Sequence, residues 1–360
     1  MRLIVTGGGT GGHLFPALAV ACGVRRQIIG SEVLFIGTGR QIDAQALADF
    51  DFSRKVINFS GVKGLGMSGL LHAASRFPQA LIQSLLIIRK FRPDLVFGVG
   101  GYVTGPVLLA AKILRVPICI HEQNSVPGLA NRLAGRLADA ICISLPCNPP
   151  FVKKKTVMTG NPVREEILEA ASHQKDVSDD FVVTLLVLGG SQGARRVNAL
   201  IFEAVKILRA EGAEIRIIHQ TGINDEEAMR AGYEKIGVRA EVAAFFADMA
   251  DLYNRADLVV SRAGATTLAE LAVMGLPAVL IPFPYAADDH QTTNAGYYVE
   301  GGAARMLQER KLSGRKLAGE IDTLLKDRPG LRKMAGAMRS MGRPEATKRI
   351  LDVCARLIKK

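Results

Sequence analysis

Leu3-Ile4-Val5-Thr6 runs straight into Gly7-Gly8-Gly9-Thr10-Gly11-Gly12-His13, and Leu185-Leu186-Val187-Leu188 runs into Gly189-Gly190-Ser191-Gln192-Gly193-Ala194. An apolar run followed by glycines and a helix-compatible segment is the sequence form of a buried strand turning into a helix. A helix start presents unpaired N–H groups and the positive end of a dipole, and glycine lets an anion approach that backbone closely. Two such units, one at the start and one past the middle, predict two nucleotide- or phosphate-handling domains.

Outward from the first turn, apolar strands are expected at 2–6, 32–36, 55–58, 94–98, 116–120, 139–143 and 155–159, with helices between most of them. Alternating strands and helices specify an α/β fold with a doubly wound parallel sheet. Gly160-Asn161-Pro162 breaks the pattern, and the polar stretch from Ser172 to Asp180 reads as an exposed insert or linker. A second α/β unit has strands near 182–188, 214–219, 240–244, 258–261, 278–281 and 303–307. A closing helix from Pro344 to Ile358 is apolar on one side. Ligands of such sheets bind at the carboxyl ends of strands, where the polar motifs of this chain sit.

Composition agrees. The chain has 360 residues, 48% hydrophobic but only 6% aromatic and without Trp, which suits two aliphatic cores. Its five Cys are odd in number and lack C-x-x-C spacing, which points to a reducing compartment rather than a disulfide framework. Met1-Arg2 leads directly into a strand, unlike a secretory leader. The best apolar run, Val107 to Ile120, contains Lys112 and Arg115 and falls short of the ~18 uncharged residues of a membrane span.

Net charge is +12, and from Phe52 to Pro93 there is no acidic residue while Arg54, Lys55, Lys63, Arg76, Arg89, Lys90 and Arg92 accumulate. Such an excess attracts polyanions. No helix-turn-helix, zinc-finger or aromatic RNA-binding motif is present, so nucleic acid is not the expected partner. The segment Leu65 to Phe91, aliphatic and basic with a helix expected after Pro78, is the candidate contact with an anionic membrane surface. The basic C-terminus fits equally a solvated surface.

Gly7, Gly9 and Gly12 satisfy G-x-G-x-x-G, but the next strand ends in Gly37-Thr38-Gly39-Arg40, without the acid that would hold a dinucleotide ribose. A phosphate or pyrophosphate site remains. His13 falls in the first helical turn, where the positive helix end favours a neutral, proton-accepting imidazole. A third glycine turn, Gly100-Gly101-Tyr102-Val103-Thr104-Gly105-Pro106, has Pro106 suited to a first helical position. His121-Glu122-Gln123-Asn124 closes a buried strand, and four polar groups there are costly unless they bind a ligand or one another; a ligand site is the favoured reading.

Ser261-Arg262-Ala263-Gly264-Ala265-Thr266-Thr267 opens a helix suited to a diphosphate, with Glu270 one turn on to accept both hydroxyls of a ribose. Thr266 would alternatively cap that helix. Asp288 to Asn294 either caps the next helix or meets sugar hydroxyls. The six His show no metal-binding spacing, and Asp49-Phe50-Asp51 reads as a solvated turn, so no metal and no cofactor are expected.

Taken in order, GGGTGGH (7–13), GGYVTGP (100–106), HEQN (121–124), GNPVR (160–164), GGSQGA (189–194), SRAGATTLAE (261–270) and DHQTTNA (289–295) resemble the family-28 N-acetylglucosaminyltransferases of bacterial peptidoglycan synthesis over essentially the whole chain. The resemblance implies a GT-B fold, two Rossmann-like domains with parallel sheets facing across a cleft. It implies an acceptor and membrane-associating domain at 1–162, a UDP-GlcNAc domain at 163–342 and a helix at 343–360 crossing back to the first. The implied reaction is inverting, metal-independent transfer of GlcNAc from UDP-GlcNAc to the C4 hydroxyl of undecaprenyl-diphospho-MurNAc-pentapeptide. It would take place at the cytoplasmic face of the plasma (inner) membrane, with membership of a cell-wall synthesis complex open.

Residue by residue, the resemblance puts UDP-GlcNAc against Thr10, Gly11, Gly12, Asn124, Arg164, Ser191, Phe246, Arg262, Ala265, Thr266, Glu270 and Gln291. The acceptor would meet Gly9, Gly101, Tyr102 and Thr104. His13 is the expected general base, with His121 and Glu122 as alternatives. The competing readings are another GT-B enzyme, such as a UDP-GlcNAc 2-epimerase or a diacylglycerol glycosyltransferase, and a non-catalytic nucleotide-sugar-binding protein.

Overall fold

The computed structural model describes residues 1–8, 11–39, 50–57, 59, 66–173, 182–190 and 193–359, with 11 and 66–74 described for backbone alone. The expectations on Gly9, Thr10, Asp49, Asn58, Lys63, Leu65, the polar stretch 174–180 and Ser191 lie outside the described residues. The chain divides into two compact units, Met1–Arg164 with Pro344–Lys360, and Glu165–Arg343.

In the first unit the elements are β1 (Arg2–Thr6), α1 (Gly11–Gln27), β2 (Glu32–Gly37), β3 (Ser53–Val56), α2 (Gly66–Phe91), β4 (Leu95–Gly98), α3 (Thr104–Ile113), β5 (Ile118–Glu122), α4 (Leu129–Leu137), β6 (Ala140–Ile143) and β7 (Thr156–Met158). Among the described residues they form a seven-stranded sheet in the order β3-β2-β1-β4-β5-β6-β7, every pairing parallel. The order reverses between β1 and β4, and a crevice for ligands opens beyond the strand ends at such a reversal. Alternate residues of β1 feed the two faces, as the pleat requires. Leu3 and Val5 pack with α1, whereas Ile4 packs with Ala80 and Ile88 of α2 and Val107 and Leu108 of α3.

The second unit carries α5 (Glu165–Ser172), β8 (Val183–Leu188), α6 (Arg195–Ala210), β9 (Ile215–Gln220), α7 (Glu226–Lys235), β10 (Ala240–Ala243), α8 (Met249–Arg255), β11 (Leu258–Ser261), α9 (Ala265–Met274), β12 (Ala278–Leu280), α10 (His290–Glu300), β13 (Ala304–Met306), α11 (Gly314–Lys326) and α12 (Arg328–Met341). Its six-stranded parallel sheet has the order β10-β9-β8-β11-β12-β13, reversing between β8 and β11. The two strands flanking each reversal are those that lead into the glycine and small-residue turns.

The last helix, α13 (Ala346–Ile358), belongs to the first unit and buries Ile350 and Cys354 against α1. The approach is close because α1 has Gly23 at the contact, where a Cβ would come within 2.6 Å of Thr347 Cγ2.

Three local expectations are corrected. β5 runs to Glu122 rather than ending at Ile120, because β6 continues to pair with it: His121 lies opposite Cys142 and Glu122 opposite Ile143. Pro106 is the third residue of α3 rather than its first, a position whose N–H would still lack an intrahelical acceptor. α2 continues through Pro78 instead of starting after it.

Candidate functional site

The turns after β1 and β4 meet through their backbones. Gly101 has φ +90°, and a Cβ on it would sit 2.9 Å from Gly8 O. A Cβ on Gly7 (φ +142°) would lie 2.3 Å from Val99 Cγ2. The glycines of the two motifs are thus required by one another as well as by any anion. His13, on the first turn of α1, projects beside this junction: its Cε1 would be 3.3 Å from a Cβ on Gly100.

Behind His13 lies a chain of polar groups from β5. His13 Nδ1 is 3.0 Å from Gln123 Oε1. Gln123 Nε2 is 3.2 Å from Val99 O, 3.3 Å from His121 O and 3.2 Å from His121 Nδ1. His121 Nε2 is 3.1 Å from Gly160 O and 3.2 Å from Ser144 Oγ. His121 and Gln123 are buried, whereas His13 is half-exposed. Burial lowers the His121 pKa to about 4, with the His13 charge adding in the same direction and the Gly160 carbonyl opposing. His121 is therefore neutral at physiological pH.

Glu122, also buried, receives four donors. Oε1 accepts from the Asn124 backbone N–H (2.9 Å) and from Asn124 Nδ2 (3.3 Å). Oε2 accepts from the Gly128 N–H (3.2 Å) and from Asn131 Nδ2 (2.9 Å). So many donors make this carboxylate a brace for the 124–131 loop. Within the tetrad His121 and Gln123 bind each other and the backbone, Glu122 binds the 124–131 loop, and half-buried Asn124 is the member nearer solvent.

Other predicted residues of this unit fall as follows. Thr104 is buried and its hydroxyl donates to Gly100 O at 2.8 Å, so the hydroxyl holds the turn rather than facing outward. Tyr102, by contrast, is exposed at the same turn. Gly11 and Gly12 open α1. Arg164 belongs to the first unit, with its guanidinium 5.1 Å from the ring of Phe15 on α1.

In the second unit α9 starts at Ala265 with Gly264 as its extended N-cap, a residue with no side chain to occupy the helix start. Ala265 and Thr266 form the first turn. Asn294 of α10, fully buried, donates to Ala263 O at 3.2 Å and so fixes the turn that enters the helix. Glu270, one turn in, is buried and accepts from Tyr253 Oη on α8 at 2.8 Å. Gln291 Oε1 accepts from the Phe283 N–H at 2.9 Å.

The Arg262 guanidinium is committed elsewhere. It donates to Ile281 O and Pro282 O, pairs with Glu309 Oε2 at 2.5 Å and lies over Phe283 at 5.3 Å. What Arg262 offers a ligand at this turn is its backbone. The turn after β8 is tied to Phe246 by Gln220 at the end of β9, whose Nε2 donates to Gly190 O at 3.4 Å and whose Oε1 accepts from the Phe246 N–H at 3.2 Å.

The structure therefore gathers His13, Gly101, His121, Glu122 and Gln123 at one strand-end junction, and Phe246 with the Gly190 turn at another. Gln220 and Tyr253 were not among the predicted site residues, and Gln123 was read only as one of the polar residues closing its strand, with no role of its own. Gln220 carried a usable signal, being a polar residue that ends a buried strand. Tyr253 carried none, since its contact with Glu270 depends on how α8 packs beside α9. Among the described residues no three or more His, Cys, Asp or Glu side chains cluster as a metal donor set, and no helix is long and apolar enough to cross a membrane.

Residues 3–143 match the glycosyltransferase family 28 N-terminal domain, and residues 184–350 the glycosyltransferase family 28 C-terminal domain. A Desulfotalea psychrophila protein named UDP-N-acetylglucosamine--N-acetylmuramyl-(pentapeptide) pyrophosphoryl-undecaprenol N-acetylglucosamine transferase is 48% identical, covering 99% of this chain and 97% of its own. A Syntrophus aciditrophicus protein of the same name is 42% identical over 100% of this chain and 99% of its own. The crystal structure of Acinetobacter baumannii MurG superposes with a TM-score of 0.81 at 33% identity, covering 99% of both chains. A Neisseria meningitidis UDP-GlcNAc 2-epimerase shares the fold with a TM-score of 0.71 at 13% identity, covering 99% of this chain and all of its own.

Proposed function

The chain belongs to glycosyltransferase family 28, and its two Rossmann-like parallel-sheet domains are those of a GT-B hexosyltransferase; from that premise we propose that it transfers GlcNAc from UDP-GlcNAc to the C4 hydroxyl of undecaprenyl-diphospho-MurNAc-pentapeptide, with inversion and without a metal, in peptidoglycan synthesis. The observation that carries this reading is the full-length identity of 42–48% to proteins named for that transfer. The epimerase is alike in fold alone.

The second unit takes the donor. Its diphosphate lies at the start of α9 against Ala265, Thr266 and the backbone of Arg262, with Ser191 as a further contact. Glu270 accepts from the ribose hydroxyls, the backbone at Phe246 meets the uracil, and Gln291 meets the sugar. Arg164, Asn124, Thr10, Gly11 and Gly12 complete the donor contacts. The first unit takes the acceptor at Gly9, Gly101 and Tyr102, with Thr104 shaping the turn.

The C4 oxygen of MurNAc attacks C1 of GlcNAc as its proton passes to His13, and the C1–O bond to UDP breaks with the electron pair leaving on the diphosphate. The helix N-terminus and Arg164 stabilise that charge. His13 acts as the base because it alone of the three candidates is reachable from solvent; His121 and Glu122 are buried behind it.

The same unit docks on the anionic cytoplasmic face of the inner membrane. Ile82 and Leu86, one turn apart on α2, are 57% and 62% exposed, and Arg89 and Lys90 continue that face. Each basic residue near such a surface contributes about 1 kcal/mol. Flotation with phosphatidylglycerol vesicles should exceed flotation with phosphatidylcholine vesicles; equal binding contradicts the electrostatic part of the claim.

The reaction is tested by incubating radiolabelled UDP-GlcNAc with a short-chain lipid-linked MurNAc-pentapeptide, with diacylglycerol, or alone, each with and without chelator. Label should pass only to the first acceptor, chelator or not. Epimerisation of UDP-GlcNAc alone, transfer to diacylglycerol, or donor binding without turnover would each overturn the reading.

A further inference from the structure

We propose that Gln123 is a positioning residue that holds His13 in its Nδ1–H tautomer, leaving Nε2 as the atom that takes the proton. The proposal rests on the reading of His13 as the base and assigns that role to one atom.

Two contacts fix the orientation of the Gln123 amide. Val99 O and His121 O, 3.2 and 3.3 Å from Nε2, are carbonyls that only accept, so the amide nitrogen faces them. Turning the amide over would set oxygen against two oxygens. The third neighbour of Nε2, His121 Nδ1 at 3.2 Å, must then be a bare, accepting nitrogen. The opposite end of that ring agrees: Nε2 faces the Gly160 carbonyl at 3.1 Å and must carry the hydrogen. One tautomer of His121 satisfies both ends, and its neutrality at physiological pH keeps Nδ1 free of a proton.

With the amide so oriented, Oε1 faces His13 Nδ1 at 3.0 Å. An amide oxygen can only accept, so His13 Nδ1 must carry hydrogen, and a neutral ring then has its lone pair on Nε2. Free histidine favours the opposite tautomer, so this contact changes which nitrogen is basic. The order runs Gly160 O, His121, Gln123, His13, with each hydrogen bond dictating the next. Both glutamine and histidine are buried at the inner end of the chain, where an unmet polar group is expensive. A catalytic imidazole held in the wrong tautomer loses orders of magnitude in rate.

The test is long-range 15N–1H correlation of histidine-labelled full-length protein at neutral pH, with His13 assigned by difference against His13→Gln. The expected wild-type spectrum has His13 with a protonated Nδ1 and an unprotonated Nε2. In Gln123→Met, similar in length but unable to accept this bond, His13 should shift toward Nε2–H. In that variant kcat should fall at least tenfold while KM for UDP-GlcNAc stays within twofold. A wild-type His13 in the Nε2–H form overturns the proposal without any variant having to fold. So does a Gln123→Met enzyme that loses rate while His13 keeps the Nδ1–H form, and that outcome leaves His13 standing as the base. Full kcat in His13→Ala, with the tautomer as expected, would instead overturn the reading of His13 as the base.

Discussion

The hydroxyl of Tyr253 donates to Oε2 of Glu270 at 2.8 Å, with both side chains buried between α8 and α9. The bond fixes the rotation of the carboxylate that we assign to the donor ribose. An orienting contact of this kind is equally present before and during reaction, so its loss should weaken donor binding rather than chemistry. Tyr253→Phe is therefore expected to raise KM for UDP-GlcNAc roughly threefold to tenfold, in line with about 1 kcal/mol for a buried hydrogen bond, with kcat within twofold. Steady-state kinetics with varied donor measures this. An unchanged KM would remove Glu270 from the donor site.

Gly101→Ala should damage the enzyme where Gly105→Ala does not. At Gly101 the new Cβ meets Gly8 O at 2.9 Å and the residue has φ +90°, whereas nothing lies within 4 Å of a Cβ on Gly105. The strained position should cost about 1–3 kcal/mol in urea unfolding. It should also push the turns after β1 and β4 apart, lowering kcat/KM for the lipid acceptor more than tenfold. Gly105→Ala, on the first turn of α3, should unfold at the same or slightly higher urea concentration.

Stability should fall as pH drops below about 6.5, the ordinary histidine value. Burial lowers the pKa of His121 to about 4 and of His219 to about 3. Between each depressed value and about 6.5 the unfolded chain binds a proton that the folded chain refuses. The penalty grows by roughly 1.4 kcal/mol per pH unit for each residue and levels off below the folded value. His219→Gln should flatten the dependence of thermal unfolding on pH between about 6 and 4. An unaltered slope would contradict the assignment of His219 as a buried neutral group.

Strand identities and the motifs at strand ends were legible in the sequence because parallel strands buried on both faces read as apolar runs and glycine turns punctuate them. A doubly wound sheet already implies a reversal of strand order, but the strands that flank it, β1 and β4 in one sheet and β8 and β11 in the other, were not legible, since neighbour order leaves no trace in local composition. Side-chain direction was the second gap. Thr104 and Arg262 stand in the right motifs, yet one donates inward to Gly100 and the other turns to Glu309 and two carbonyls. Those partners are distant in sequence or depend on backbone shape. His121 and Glu122 were expected beyond their strand because polar residues signal an end, but pairing with β6 carried β5 through them.

The central claim is that the junction of the β1 and β4 turns supplies, through His13, the base for glycosyl transfer. Single-turnover rates of wild type and His13→Ala with saturating UDP-GlcNAc and a short-chain lipid-linked acceptor, followed across pH, test it most directly. The account predicts that the variant loses at least a hundredfold in rate and keeps its affinity for UDP-GlcNAc. A variant that turns over within a few-fold of wild type at every pH would contradict it.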